Sequence, residues 1–416
     1  MGKFVIEGGK RISGKIKAER AKNAVLPILA ACILTDDEVK IKDCPDIADV
    51  KNMLKILGAL GAKYRFDGND LVLRCDGIND YEVPESLSKE LRSSIFVSGA
   101  LCARLRRAEL SMPGGCNIGK RPIDLHIAAL KALGVTTRES ENGVSFKCDK
   151  LTGGKITLKI PSVGATENAM IAAATAEGET LILNAAREPE VKDLADFLCA
   201  LGGKVYGAGT KTVRVEGVKK LHGAEYTPVS DRIEAGTYLV AAAITGGEIE
   251  ISGVSGENIS ALIGKLCDNS CKLLIKNDII YLRGARRRKP FYLRTGFYPL
   301  FPTDMQAQFT ALAAASGGVS VIEESVFENR FAYAAELNKM GADVSVRGET
   351  AIVRGVKGFH GAAVKAADLR GGAALVLAAL NAEGFSVVDG VSHIERGYVR
   401  MEEKLKSLGA QIVKIN

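Results

Sequence analysis

Apolar and polar positions along this chain repeat on one long period. An Ala-rich apolar stretch of helical length is followed by a short run of alternating or branched apolar residues. A polar loop, a second helix and two short strands follow. The second helix ends on a recurring pair: Leu60-Gly61, Leu133-Gly134, Leu201-Gly202, Met340-Gly341 and Leu408-Gly409, with Leu266 to Asn269 holding the remaining slot in weaker form. Successive glycines lie roughly 70 residues apart, and Gly202 and Gly341 roughly twice that, which marks a repeated folding unit rather than a solenoid of short repeats. Glycine at that point suits a left-handed helix C-terminus, where no Cβ can clash.

The pattern predicts Ala-rich helices over 21–34, 91–104, 166–176, 231–243, 303–315 and 368–382. Short strands follow at 38–41, 108–112, 180–183, 248–251, 319–322 and 385–388. Strands at 62–66 and 71–75 around Asp67-Gly68-Asn69 read as a hairpin. Small side chains suit close helix packing, so the Ala-rich helices are expected to be buried. The unit is βαβαββ. At 416 residues the chain is too long for one ordinary core and fits two domains of three units each. The first strand must then pair with the last three units, so the expected domains are 22–230 and 1–21 with 231–416. The fold class is α/β (α+β).

A hydrophobic content of 47% and a charged content of 25% describe a globular protein. No apolar run reaches the roughly 18 residues of a membrane span, which argues against a membrane partner. Residues 1–7 carry no apolar signal core, which argues against export and for a cytoplasmic location. The formal net charge of +7 favours an anionic partner. The run Arg286-Arg287-Arg288-Lys289 could suggest nucleic acid, but it falls in a turn between strands, and aromatics are only 6% with no Trp. It reads better as a solvated basic loop, with a small, highly charged substrate accounting for the surplus. Nine cysteines are scattered apart from Cys267 and Cys271, and the four histidines are dispersed. Neither a disulfide framework nor a metal site is expected.

Candidate chemistry lies in the loops that break the repeat. The stretch 111–126 contains three glycines, which let backbone approach a ligand, and Cys116 in its middle. Lys120 and Arg121 are near in sequence and could lower the thiol pKa; a surface loop with an incidental thiol fits the composition equally well. Lys22 and Asn23 open the first helix and Arg92 the second. Asp231 to Glu234 open the fourth, Asp304 sits at the start of the fifth, and Asp368 and Arg370 open the sixth. Singly these are ordinary caps or surface charges. If the three helices of a domain run parallel, their positive ends converge, and two facing domains would make an anion-binding cleft.

These residues resemble a family. Ala21-Lys22-Asn23-Ala24-Val25-Leu26-Pro27, the 113–126 loop, Pro161-Ser162-Val163-Gly164-Ala165-Thr166-Glu167-Asn168 and Asn184-Ala185-Ala186-Arg187-Glu188-Pro189-Glu190 carry the resemblance. So do 301–308, Phe327-Glu328-Asn329-Arg330 and His393-Ile394-Glu395-Arg396-Gly397-Tyr398. Together they are similar, over the whole chain, to the UDP-N-acetylglucosamine 1-carboxyvinyltransferases, the enolpyruvyl transferases that commit sugar to peptidoglycan. The resemblance implies a two-domain inside-out α/β barrel of six βαβαββ repeats.

The resemblance also implies roles. Lys22 and Asn23 would hold phosphoenolpyruvate, with Arg121 and Arg396 on its phosphate and carboxylate. Arg92, Arg121, Pro122, Ile123, Asp124, Leu125, Ser162, Val163, Gly164, Ala165, Asp304 and Val326 would bind UDP-N-acetylglucosamine. Asp304 would be the base at the 3′-hydroxyl, with its carboxylate pKa lowered by the helix dipole. Cys116 would be the proton donor, the site of a covalent adduct and the target of fosfomycin. Asp368 and Arg370 would complete the cleft, and no metal or organic cofactor would be required. The chain departs from the family pattern at three places. Arg20 stands where glycine is usual and could bind phosphate or obstruct the hinge. Ile160 replaces a position that is basic in some members. Gly371-Gly372 follow Arg370 where Ala or Ser is usual, which would loosen that helix start. Two alternatives share the fold: the shikimate-pathway transferase (5-enolpyruvylshikimate-3-phosphate synthase), which lacks a cysteine in this loop, and a non-catalytic or regulatory paralogue.

Overall fold

The computed structural model describes residues 2–112, 114, 119, 122–141 and 143–415. Each repeat builds one small mixed sheet. In the fifth, Tyr292–Arg294 runs parallel to Val319–Glu323, which pairs antiparallel with Thr350–Arg354, which in turn pairs antiparallel with Asp343–Arg347. The third repeat has the same order: Lys155–Thr157, Glu179–Leu183, Thr212–Glu216 and Lys204–Tyr206. A parallel pair needs a crossover rather than a hairpin, and the Ala-rich helix supplies it. In the second repeat the parallel slot is reduced to a bridge between Glu82 and Glu109.

The chain start completes sheets made by its end. Lys3–Glu7 lies between Phe385–Asp389 and Gln411–Ile415, antiparallel to both. Ser13–Lys17 runs parallel to Glu248–Ser252. Glu225–Tyr226 returns to run parallel to Val39–Ile41. Leaving aside the loop 116–121, the chain divides into two compact units, Met1–Glu19 with Ser230–Asn416, and Arg20–Val229.

The first helix of each repeat forms the core. Lys22–Ala31, Phe96–Leu105, Val163–Ala173, Arg232–Thr245, Gln306–Ala314 and Leu369–Asn381 are buried along most of their length. Each fully buried Leu or Ile contributes roughly 1.5–3 kcal/mol. The second helices show only one buried face, as in Ala48–Ala59 and Pro189–Ala200. At their ends Gly61, Gly134, Gly202, Gly341 and Gly409 all have positive φ. In the weak slot the left-handed residue is Ser270, at φ 75°, one position beyond the stretch the sequence pattern marks. Asn269 there is fully buried and donates to Lys289 O and Ser316 Oγ.

The basic run is partly structural. Arg288 donates to Ala315 O and Ile244 O, capping the C-termini of two core helices, where positive charge is favoured. Burial pulls its pKa below the ordinary arginine value. Arg286 and Arg287 are exposed. No helix is long and apolar enough to cross a membrane among the described residues.

Candidate active site

In the unit containing the C-terminal half, three helix starts come together. Asp231 caps Arg232–Thr245, its Oδ1 accepting from the N–H groups of Ile233 and Glu234. Asp368 caps Leu369–Asn381 in the same way, through the N–H groups of Arg370 and Gly371. Asp304 lies in the 3₁₀ turn Thr303–Met305 that leads into Gln306–Ala314. Arg330 Nη2 donates to Asp304 Oδ1 at 2.7 Å, and Arg370 Nε forms an ion pair with the same oxygen at 3.4 Å. Both guanidiniums are buried, while Asp304 remains partly open. Arg330 Nε and Arg370 Nη1 have no hydrogen-bond acceptor among the described residues. Burial works against the charge of Arg370, but Asp304, Tyr398 and Asp231 more than offset it and raise its pKa. A carboxylate beside two buried guanidiniums with spare donors can hold an anion next to a proton acceptor.

A polar layer fixes these starts from below. Tyr398 OH lies 2.8 Å from Thr237 Oγ1, and Gln308 Nε2 reaches both, at 3.3 and 3.1 Å. Tyr333 OH meets Gln306 Oε1 and Thr310 Oγ1, each at 2.7 Å. Arg396 follows the short helix Val391–Ile394 and is half-buried. Val326 lies in the loop after Val319–Glu323.

In the other unit, Arg92 Nη2 donates to Pro122 O at 3.3 Å, joining two segments assigned by resemblance to the sugar nucleotide. Arg92 lies in the 3₁₀ turn Arg92–Ile95; the predicted helix over 91–104 divides there into that turn and Phe96–Leu105. Ile123 is buried, Asp124 and Leu125 open the helix Asp124–Ala132, and His126 packs against Gly164. Ser162 caps Val163–Ala173 through Ala165 N–H, so the third Ala-rich helix begins three residues before the predicted 166. Asn168 ties this group together: its Oδ1 accepts from Gly99 N–H, and its Nδ2 meets Ser98 Oγ and His126 Nδ1. Lys22 instead pairs with Asp49, 3.1 Å away, and both are well shielded. Asn23 follows it, half-buried, in Lys22–Ala31.

A carboxylate cluster lies deeper in this unit. Glu167 is fully buried and its Oε1 has no partner among the described residues. Burial, then Glu190, Glu188 and Asp193, push its pKa well above the ordinary glutamate value. Burial lifts Asp193 to about 6, against the hydrogen bonds it accepts from Val229 N–H and Tyr226 OH.

The departures resolve differently from one another. Arg20 pairs with Asp43 at 2.9 Å. Ile160 is exposed. Gly371 and Gly372 do not loosen their helix. A Cβ at 371 would stand 2.6 Å from Asp368 Oδ2, and one at 372 would stand 2.7 Å from Ile394 Cγ1. The glycines let the helix start close onto its cap. Cys116, Lys120 and Arg121 lie outside the described residues. Among the described residues no group of three or more His, Cys, Asp or Glu is placed to hold a metal. The site residues that sequence reasoning passed over are Arg330, Asp49, Asn168 and His126. Arg330, Asn168 and His126 stood inside quoted motifs; for Asp49 the only signal was an acidic residue in the first turn of its helix.

Comparison with known proteins agrees with this architecture. The family described as EPSP synthase (3-phosphoshikimate 1-carboxyvinyltransferase) matches residues 6–405. The chain is 49% identical to UDP-N-acetylglucosamine 1-carboxyvinyltransferase 2 of Caldanaerobacter subterraneus, covering 100% of both. It is 43% identical to UDP-N-acetylglucosamine 1-carboxyvinyltransferase of Geotalea uraniireducens, again covering 100% of both. The enolpyruvyl transferase NikO of Streptomyces tendae superposes with a TM-score of 0.91 at 26% identity, over 100% of this chain and 99% of that one. EPSP synthase of Acinetobacter baumannii gives 0.78 at 20% identity, over 100% of both, a likeness of fold. The two-domain α/β fold is thus that of the enolpyruvyl transferases, and the chain belongs to the UDP-N-acetylglucosamine 1-carboxyvinyltransferase family.

Proposed function

We propose that this chain transfers the enolpyruvyl group of phosphoenolpyruvate to the 3′-hydroxyl of UDP-N-acetylglucosamine and releases phosphate, the first committed step of peptidoglycan biosynthesis. The observation that carries this reading is Asp304 at a helix start, faced by Arg330 and Arg370 with donors to spare. Phosphoenolpyruvate carries close to three negative charges, and preorganised cations are the economical way to hold it. Protonation of its methylene carbon makes C2 electrophilic. The 3′-oxygen attacks C2 while its proton passes to a base. Loss of the methyl proton and of phosphate then restores the double bond as an enol ether.

In this reading Cys116 delivers the proton to the methylene carbon, and Asp304 orients the hydroxyl and receives its proton. Lys22, Asn23, Arg121 and Arg396 hold phosphoenolpyruvate. Arg92, the 121–125 stretch, Ser162 to Ala165 and Val326 hold the sugar nucleotide, with Asp368 and Arg370 closing the set. Domains 22–230 and 1–21 with 231–416 divide the work, the first supplying the acid and the second the base. The enzyme works in the cytoplasm, on nucleotide-linked sugar, without a cofactor. Fosfomycin, an epoxide, would be opened by the Cys116 thiolate to give a thioether. Intact-mass measurement tests this assignment. We expect one fosfomycin added to the wild-type chain and none to Cys116→Ser, with turnover nearly abolished in Cys116→Ser and partly kept in Cys116→Asp. Full activity of the serine variant would remove Cys116 from the mechanism.

A further inference from the structure

Glu324 directly follows the strand Val319–Glu323 and is 2% exposed. No ion pair compensates it among the described residues. Its charge is instead met by four hydrogen-bond donors drawn from three separate segments. Oε2 accepts from Thr303 Oγ1 at 2.9 Å. Oε1 accepts from Thr295 Oγ1 at 2.9 Å, from Val326 N–H at 2.9 Å and from Phe327 N–H at 3.2 Å. Thr295 is itself fixed: its hydroxyl accepts from Ser325 N–H at 2.9 Å, and its carbonyl accepts from Ser325 Oγ at 2.6 Å. One oxygen thus grips the residue immediately before Asp304, and the other grips the backbone of Val326.

We infer that Glu324 is a positioning residue for the transfer reaction, holding the Asp304 turn and the Val326 loop in one register through its two carboxylate oxygens. The inference rests on the function proposed above for Asp304 and Val326. A buried carboxylate satisfied by hydroxyls and N–H groups alone has no charge partner to neutralise. Its fixed geometry is what it offers, and misplacement of a reacting group by about 1 Å can cost on the order of 100-fold in rate. The two oxygens act on different things. Losing the Thr303 contact should disturb the proton acceptor and leave sugar-nucleotide binding alone. Losing the whole carboxylate strands two partly buried N–H groups and should disturb both.

Steady-state kinetics on Glu324→Ala, Glu324→Gln and Thr303→Val test this, with phosphate release as the readout and rates expressed per folded molecule. In Glu324→Ala we expect kcat to fall by about 30-fold and KM for UDP-N-acetylglucosamine to rise by about fivefold. In Thr303→Val we expect kcat to fall by about tenfold with KM within about twofold. Glu324→Gln should recover most of both, because its oxygen can keep the Val326 and Phe327 contacts while its nitrogen donates to the Thr303 hydroxyl. If the alanine variant does not fold, the other two decide. Wild-type kinetics in both Thr303→Val and Glu324→Ala would overturn the inference. So would a glutamine variant as impaired as the alanine one, since charge rather than position would then be the requirement. A wild-type enzyme that releases no phosphate with UDP-N-acetylglucosamine would instead refute the functional reading itself.

Discussion

Arg330 and Arg370 both reach one oxygen of Asp304, and this contact sets what a substitution there should do. Asp304→Asn keeps an oxygen for Arg330 but, in the mechanism proposed above, cannot take the 3′-proton. We expect sugar-nucleotide affinity within about tenfold of wild type, roughly 1.4 kcal/mol, while turnover collapses. Calorimetry and a phosphate assay on that one variant check it: loss of binding together with turnover would make Asp304 an anchor instead. Asp193 gives a pH prediction. Burial raises its pKa from 3.8 to about 6, so the folded state holds the proton more tightly than the unfolded chain. Ionisation therefore costs stability, fully above about pH 6 and not at all below about pH 4. The contribution of Asp193 to stability should rise on acidification from pH 7 to 5 by an amount on the order of 1 kcal/mol. Asp193→Asn should flatten that slope in denaturant titrations; an unchanged slope would exonerate Asp193. At this scale Asp304, Asp368 and Arg370 were legible because motif and helix start coincide in the sequence. Arg330, Asp49 and Glu324 were not, since their side-chain partners are more than twenty residues away and meet them only through the fold.

Elements were easier to read than their ends. The Leu-Gly period located the repeats because only a left-handed residue can end each second helix and feed the next strand at that angle. The weak slot shows the rule at work, since the chain keeps the conformation at Ser270 without keeping the glycine. An L-residue there costs about 1–2 kcal/mol relative to glycine, partly offset by glycine's greater freedom when unfolded. Ser270→Gly should therefore stabilise by roughly 0.5–1 kcal/mol. Gly202→Ser should destabilise by more, because a Cβ there would also stand 2.8 Å from His222 Nε2. Paired thermal melts check both, and a destabilised Ser270→Gly would contradict the account. The start of the second Ala-rich helix was misread because the 3₁₀ turn at Arg92–Ile95 has the same apolar spacing over its few residues as an α-helix. Gly371 and Gly372 were misread because propensity sees flexibility, whereas the neighbours Asp368 and Ile394 require the missing Cβ.

For the molecule as a whole, six copies of one unit supply rigid helix starts, and differences among the copies supply chemistry. The Ala-rich helices are nearly interchangeable in their burial, but their first residues are not: Lys22 in one, Arg92 before another, Asp304 and Arg370 in two more. An acidic acceptor beside two guanidiniums makes sense for a reaction that brings a polyanion to a hydroxyl. The measurement that bears most directly on this claim is phosphate release from phosphoenolpyruvate by the purified chain with each acceptor in turn. The account predicts sustained release with UDP-N-acetylglucosamine, accompanied by a product heavier by one enolpyruvyl group, and none with shikimate 3-phosphate. Release with shikimate 3-phosphate, or with neither acceptor, would contradict it.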